Sequence, residues 1–437
     1  MGPHARMAAR SKGGKEGALS ADGRIVWLAC SGLLALAFPV GVGWMTTRGK
    51  APSDGQGGQL LAVALLALFV AGTAGFSLLY GAVHFSSLGE EPRPSWQWEP
   101  FGEGSGLVAW GGIGTQALDT PARAALFLLE AAGTLSVVAI ALAPVLGKLN
   151  APGWVAAAVA IAGLIYPVLG HWAWGGGWLA ATGRTGYLGH GFVDPGGAGL
   201  HYALGGLLAL AGLVATGSRH RGPARGGNPT PPAMLLTFSG MVWLQLGSTH
   251  TLSPELGTMA LNTLASATAG GLAAALYMAF TTTRLRSDML GRGLLAGTAC
   301  AAGLAPLAST LTNVLAGAVA GCLACLGSYL IERVWKLEDS AGLVPAFGLG
   351  GLWGTLAVGL FADGRWGVGL NGIGATRYLG VPGQGVTGIL FLAPGMSPDF
   401  GQLAAQVLGL AVIVGWGLGI GWLCFRLASI RTAWLKR

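Results

Sequence analysis

The chain is short of charge. Of 437 residues only 10% are Asp, Glu, Lys or Arg, against about 25% in an ordinary soluble protein. With 52% hydrophobic residues and a mean hydropathy of +0.60, that deficit excludes a water-soluble domain and identifies an integral membrane protein. Cysteine is scarce too. Cys30, Cys300, Cys322, Cys325 and Cys424 all fall inside apolar segments, where neither a disulfide framework nor a four-ligand zinc site is easily assembled. Cys322 and Cys325 spell CxxC with no histidine or second pair nearby, so they read as small helix-packing residues. Missing as well are a nucleophile–base pair, a carboxylate pair at usable spacing and a phosphate-cradling loop; FGEG at Phe101 to Gly104 is too short for one. No metal, no cofactor and no enzymatic activity are expected. The net charge of +8 is spread over loops and termini rather than gathered in one basic stripe, which reads as topology and not as nucleic-acid binding.

What is present is long apolar runs, which fit helices rather than the alternating strands of a barrel. The 78 glycines have no Gly-X-Y period, so close approach between membrane helices accounts for them better than collagen. Taking about twenty apolar residues as one span, the pattern predicts eleven: 25–46, 58–84, 120–146, 154–179, 196–216, 233–250, 257–281, 291–308, 311–332, 341–363 and 402–428. An odd count puts the termini on opposite sides. With the C-terminus inside, the inner segments carry Arg48, Lys50, Lys148, Arg219, Arg221, Arg225, Arg284, Arg286, Arg292, Arg333, Lys336 and the basic tail. The outer loops carry only Arg93, Arg123, Arg184, Arg365 and Arg377. The loops obey the positive-inside rule; the basic N-terminal tail does not. Residues 1–23 are polar, lack an apolar h-region and read as a disordered tail, although the first span could serve as an uncleaved signal.

Two non-helical stretches, 85–119 and 364–401, fall on the outer side, where they could cap a vestibule. The eighth span is short and broken by Pro306, so partial re-entry is expected there. The fifth and tenth spans carry GGAGLHYALGG and AFGLGGLWGTLAVG, one in each half of the chain. Paired small-residue motifs of this kind suggest inverted halves with a pathway between them.

The polar residues concentrate between Gly170 and Gly206. Asp194, before Pro195, suits a helix N-cap and also a fixed negative field for a cation. His201, about two turns into the same span, reads equally as a core or a pathway residue. Trp172 and Trp174 are interfacial belt residues or one wall of a cation site, where an indole face contributes roughly 0.5 to 2 kcal/mol. His250, in GSTHTLSP, is a second histidine at a membrane edge, or a solvated loop residue.

Three motifs in order on these spans, HWAWGGGWL, VDPGGAGLH and GGLWGTLAVGLFA, resemble the ammonium transporter family (Amt/Mep/Rh) over most of residues 58 to 430. The resemblance implies an all-α integral membrane protein of eleven transmembrane helices, in two inverted five-helix repeats plus a long C-terminal helix. The membrane domain would span 24–430, with halves at about 24–216 and 233–363, a last helix at 402–430 and a short cytoplasmic tail at 431–437. It implies a homotrimer with one pore per subunit, in the bilayer of a bacterial plasma (inner) membrane with the C-terminus cytoplasmic. Ammonium or ammonia is the implied substrate, and a PII-type regulatory protein a candidate partner.

In the family an outer aromatic site recruits ammonium, two phenylalanines gate an apolar pore, and two hydrogen-bonded histidines line it. By resemblance Trp174 falls on the outer-site tryptophan and Asp194 on the family aspartate. An ungapped alignment puts Tyr202, not His201, on the first pore histidine, with His201 rotated about 100° away; a one-residue deletion near Pro195 would restore His201. Phe347 occupies the second histidine position. In WLQLGSTH, Leu246 stands for one gate phenylalanine, Ser248 lies in the same matched segment, and His250 falls where a serine would contact the ion. FLLEAAG puts Ala131 or a neighbour at the other gate position, with Glu130 adjacent. The implied reading is a channel or transporter with a degenerate histidine pair. A non-conducting ammonium receptor, or a pore for another small neutral solute, remains beside it, and the bore through His201, Tyr202 and Phe347 discriminates among them.

Overall fold

The computed structural model describes residues 21–46, 54–83, 88, 96–100, 102, 105–112, 114–218, 229–249, 255–282 and 284–434. Helices dominate it. In chain order they are α1 (Ala21–Thr46), α2 (Gly57–Tyr80), α3 (Pro121–Leu142), α4 (Ala151–Ala160, carried on through Ile161–Ile165 to Tyr166–Ala173) and α5 (Trp178–Thr185). There follow α6 (Ala198–Ala215), α7 (Pro231–Gly247), α8 (Glu255–Thr281), α9 (Ser287–Leu304), α10 (Thr310–Val334), α11 (Val344–Phe361) and α12 (Phe400–Ile430). Among the described residues, nine helices are long and apolar enough to cross a bilayer by length and composition. The shorter α7 and the more polar α9 pack among them and complete the eleven spans, with α5 an added outer turn.

Local chemistry starts these helices. Thr120 accepts from Arg123 N before Pro121 opens α3, Asn150 accepts from Gly153 N at α4, Ser309 from Thr312 N at α10, and Asp399 from Gln402 N at α12. The apolar exteriors follow from the solvent. Leu61, Phe69, Leu272 and Phe280 stand outward at more than half exposure, as lipid-facing side chains do. The interior runs along α3, α6 and α11, whose apolar side chains are mostly buried. The eighth span does not re-enter: α9 is one continuous helix to Leu304 and ends before Pro306, which cannot continue it.

Glycine sets the closest approaches. A Cβ added at Gly206 would overlap the Gly348 backbone, and one at Gly270 would overlap the carbonyl of Gly293. Side chains are therefore excluded where α6 meets α11 and where α8 meets α9. The two halves also repeat a device. Asp194 accepts from the amides of Gly199 and Leu200 at the start of α6, and Asp339 accepts from those of Leu343 and Val344 at the start of α11. Each carboxylate precedes a widened helical turn, Ala198–Ala203 or Val344–Leu349, and these turns carry His201, Tyr202 and Phe347. Two short hairpins, Trp96–Trp98 with Val108–Trp110 and Arg377–Tyr378 with Val381–Pro382, lie in the long stretches between helices.

Candidate functional site

Residues 186–197 connect α5 to α6 and are tied down by α12. Gln402 accepts from His190 N and donates to Gly191 O, while Gln406 accepts from Val193 N and donates to Val193 O and Thr355 O. Two glutamines one helical turn apart thus satisfy a backbone with no ladder of its own. They deliver Asp194 to a buried position, 4% exposed. The expected arrangement, Asp194 as N-cap with Pro195 first in the helix, is not what forms. Gly197 takes a left-handed turn at φ 80° and α6 begins at Ala198, so Asp194 reaches forward to the amides of Gly199 and Leu200. Its Oδ1 has no hydrogen-bond partner among the described residues.

Beside this loop is a cavity of about 430 Å³, on the side that the basic-residue pattern assigns to the outside. Trp174, Asp194, Ser248, Tyr80, Glu130 and Asn371 are among its lining residues. Trp174 donates its indole N–H to the Asp194 carbonyl at 2.9 Å, and its ring lies 5.2 Å from that of His201. The stretch 364–401 contributes Leu370 and Asn371 to the wall, as expected of a vestibule cap. Trp172 has a different place: it donates to Leu107 O and packs its ring 4.9 Å from Trp416, bracing α4 against α12.

His201 and Tyr202 part company. The Tyr166 hydroxyl lies 2.9 Å from His201 Nε2 and donates to Glu130 Oε2 at 2.8 Å, while Tyr80 donates to Glu130 Oε1 at 3.0 Å. His201 therefore belongs to a polar chain of Tyr80, Glu130, Tyr166 and His201. Tyr202 turns the other way. Its ring stacks on Phe347 with centroids 6.1 Å apart at an interplanar angle of 16°. Phe38 closes the group at 5.6 Å from Tyr202 and 5.5 Å from Phe347. All three rings are fully buried. Gln245 donates to the Tyr202 hydroxyl at 3.3 Å and to Thr298 O at 2.9 Å, which holds the phenol in place.

Leu246 is not at the cavity; it packs with Leu256, Met259, Ala301 and Ala305. Ser248 lines the cavity, with its hydroxyl turned to Leu244 O. His250 lies outside the described residues. Sequence reasoning passed over Tyr80, Tyr166, Phe38, Thr249 and Asn371. For Glu130 the signal was available: an acidic residue in the middle of an apolar span is a functional candidate by default. For Phe38 there was none, since a phenylalanine in a first apolar span looks like any other. Outside the membrane helices, burial pushes the His190 imidazole below its ordinary value, partly opposed by Asp399, and its ring sits 4.6 Å from that of Tyr378.

A profile of the Ammonium Transporter Family matches residues 55–435. The chain is 32% identical over 297 residues to the ammonium transporter Amt2 of Archaeoglobus fulgidus, an alignment covering 62% of this chain and 58% of that one. It therefore spans under two thirds of the length of that relative. Among solved structures it is similar to a sensor Amt protein, with a TM-score of 0.72 at 21% identity over 93% of this chain and 92% of the other. Mep2 from Candida albicans is similar at a TM-score of 0.71 and 18% identity, over 93% and 85%. Both share the fold.

Proposed function

The chain belongs to the Ammonium Transporter Family, and from that membership we propose that it is a membrane channel or transporter for ammonium or ammonia. The observation that carries this reading is the cavity of about 430 Å³ bounded by Trp174, Asp194, Ser248 and Glu130. An ammonium ion entering it meets an indole, worth about 0.5–2 kcal/mol to a cation, together with hydroxyl and carboxylate acceptors. We infer that the route runs on past Phe38, Tyr202 and Phe347, which pack ring to ring. The family resemblance puts Phe347 at the second pore-histidine position and, without a gap in the alignment, Tyr202 at the first, where a one-residue deletion would instead put His201. A relay of two hydrogen-bonded histidines has no counterpart at that point. Flux requires these rings to separate, and what crosses between them is small and neutral, because the rings offer a desolvated cation no carboxylate or carbonyl.

The same packing specifically favours a second reading, a non-conducting receptor of this fold that binds ammonium and signals through a partner. Uptake of labelled methylammonium into proteoliposomes, measured beside ammonium binding to the purified protein, separates the two. Saturable uptake above that of empty liposomes supports transport, and binding without uptake supports the receptor. Absence of both overturns both readings and leaves a pore for another small neutral solute, read by osmotic swelling of the same vesicles. A homotrimer in a bacterial inner membrane with the C-terminus cytoplasmic, and regulation by a PII-type protein, belong to the same proposal. Native mass spectrometry of the detergent-extracted protein reports the subunit count.

A further inference from the structure

Glu130 lines the cavity and takes no part in the aromatic cluster of Phe38, Tyr202 and Phe347. It sits in the interior of α3, 7% exposed, and lines both the large cavity and a narrow crevice against Phe76, Phe127 and Tyr166. Its side-chain partners among the described residues are two neutral hydroxyls, Tyr80 at 3.0 Å and Tyr166 at 2.8 Å. Among the described residues, no lysine or arginine lines the cavity. A carboxylate removed from water without a cation is costly, and two hydroxyl donors compensate only part of that cost.

We propose that Glu130 is the counter-charge of a binding site for a small monovalent cation, and that ammonium is held there directly by the carboxylate rather than by aromatic faces alone; the inference rests on the ammonium reading above. The capacity is present in the donor and acceptor count. An ionised carboxylate offers about four lone-pair sites. The two tyrosines use one on each oxygen, which leaves one on each for an ammonium N–H. Asp194 lines the same cavity, and among the described residues its Oδ1 has no partner while Oδ2 is occupied by two backbone amides. The ion's remaining N–H donors meet acceptor oxygens from the tyrosine and serine hydroxyls around the cavity. Tyr166 is the positioning residue: its proton goes to Glu130, and its oxygen lies 2.9 Å from His201 Nε2. That bond sets the direction of the hydroxyl and through it the orientation of the carboxylate.

The test is calorimetric titration of ammonium chloride into the full chain in lipid nanodiscs, comparing wild type, Glu130→Gln, Glu130→Asp and Trp174→Ala. Glu130→Gln is expected to weaken binding at least tenfold and Glu130→Asp no more than a few-fold, because charge and not volume is what the site uses. Trp174→Ala is expected to fall between them. Binding by Glu130→Gln within twofold of wild type overturns this inference and leaves the ammonium reading intact. A wild type that binds no ammonium overturns both. Should the Glu130 variants melt or aggregate, the infrared difference spectrum of the wild type on adding ammonium decides: a shifted carboxylate stretch supports the site, and its absence overturns it.

Discussion

Phe347→Ala removes one ring of the aromatic cluster, at 5.5 Å from Phe38 and 6.1 Å from Tyr202. Each aromatic pair is worth about 0.5–1.5 kcal/mol beyond area burial. Two pairs make it about 1–3 kcal/mol less costly to part what remains. Where ring displacement limits passage, that difference raises the rate about 5- to 150-fold. The same truncation of a fully buried phenylalanine costs about 3–5 kcal/mol of stability, so the comparison needs protein that is monodisperse and still binds ammonium. The assay is initial uptake of labelled methylammonium into proteoliposomes at matched protein density. A rise of less than twofold, in a variant that remains folded and binding-competent, refutes the assignment of the barrier to these rings. Phe347→His separates polarity from size. It keeps a ring in place, so a flux equal to that of Phe347→Ala would show that a polar group opens the way as well as a void does.

The remaining expectations concern the scaffold around the site. Asp194→Ala leaves the buried amides of Gly199 and Leu200 without their acceptor, a loss of about 1–3 kcal/mol for each group left unpaired; the melting temperature should fall sharply, with Asp194→Asn in between. Gly206→Ala drives a Cβ into the Gly348 backbone and should destabilise by about 1–3 kcal/mol, whereas Gly415→Ala, with nothing within 4 Å, should melt as wild type does. Burial holds the His190 imidazole below its ordinary value, so the folded chain takes up that proton less readily than the unfolded one. Stability from this group is therefore full above about pH 6.5 and declines as the pH falls from there toward the lowered folded value. Melting temperatures of His190→Gln should show a flatter slope over that window; an unchanged slope would exclude His190 as its source.

Much of the architecture was legible because a bilayer imposes it residue by residue. Each span must be long and apolar, so the eleven segments, the helical class and the two motif-bearing helices could be read one window at a time. The pairing of the fifth and tenth spans was legible in their small residues, and it returns as the contact of Gly206 with Gly348. Errors came where a local rule met a longer-range one. Asp194 before Pro195 is a good N-cap by neighbourhood, but Gly197 can turn left-handed, and the helix starts later than that neighbourhood suggests. Pro306 suggested a broken span, yet α9 ends before reaching it.

Class, span count, glycine seams and the candidate residues at Trp174 and Asp194 were determined by the sequence alone, since each depends on composition within a window about as long as a membrane is thick. Which way each of two adjacent side chains points was not. His201 and Tyr202 differ by one position on a widened turn, and their directions depend on partners far away in the chain. Tyr166 and Glu130 lie beside the imidazole, while Phe38 and Phe347 lie against the phenol. Tertiary packing alone brought those groups together. It put a buried carboxylate at the cavity and packed three rings against one another, because side-chain direction is decided by the neighbours that fill the space and not by the spacing along one helix.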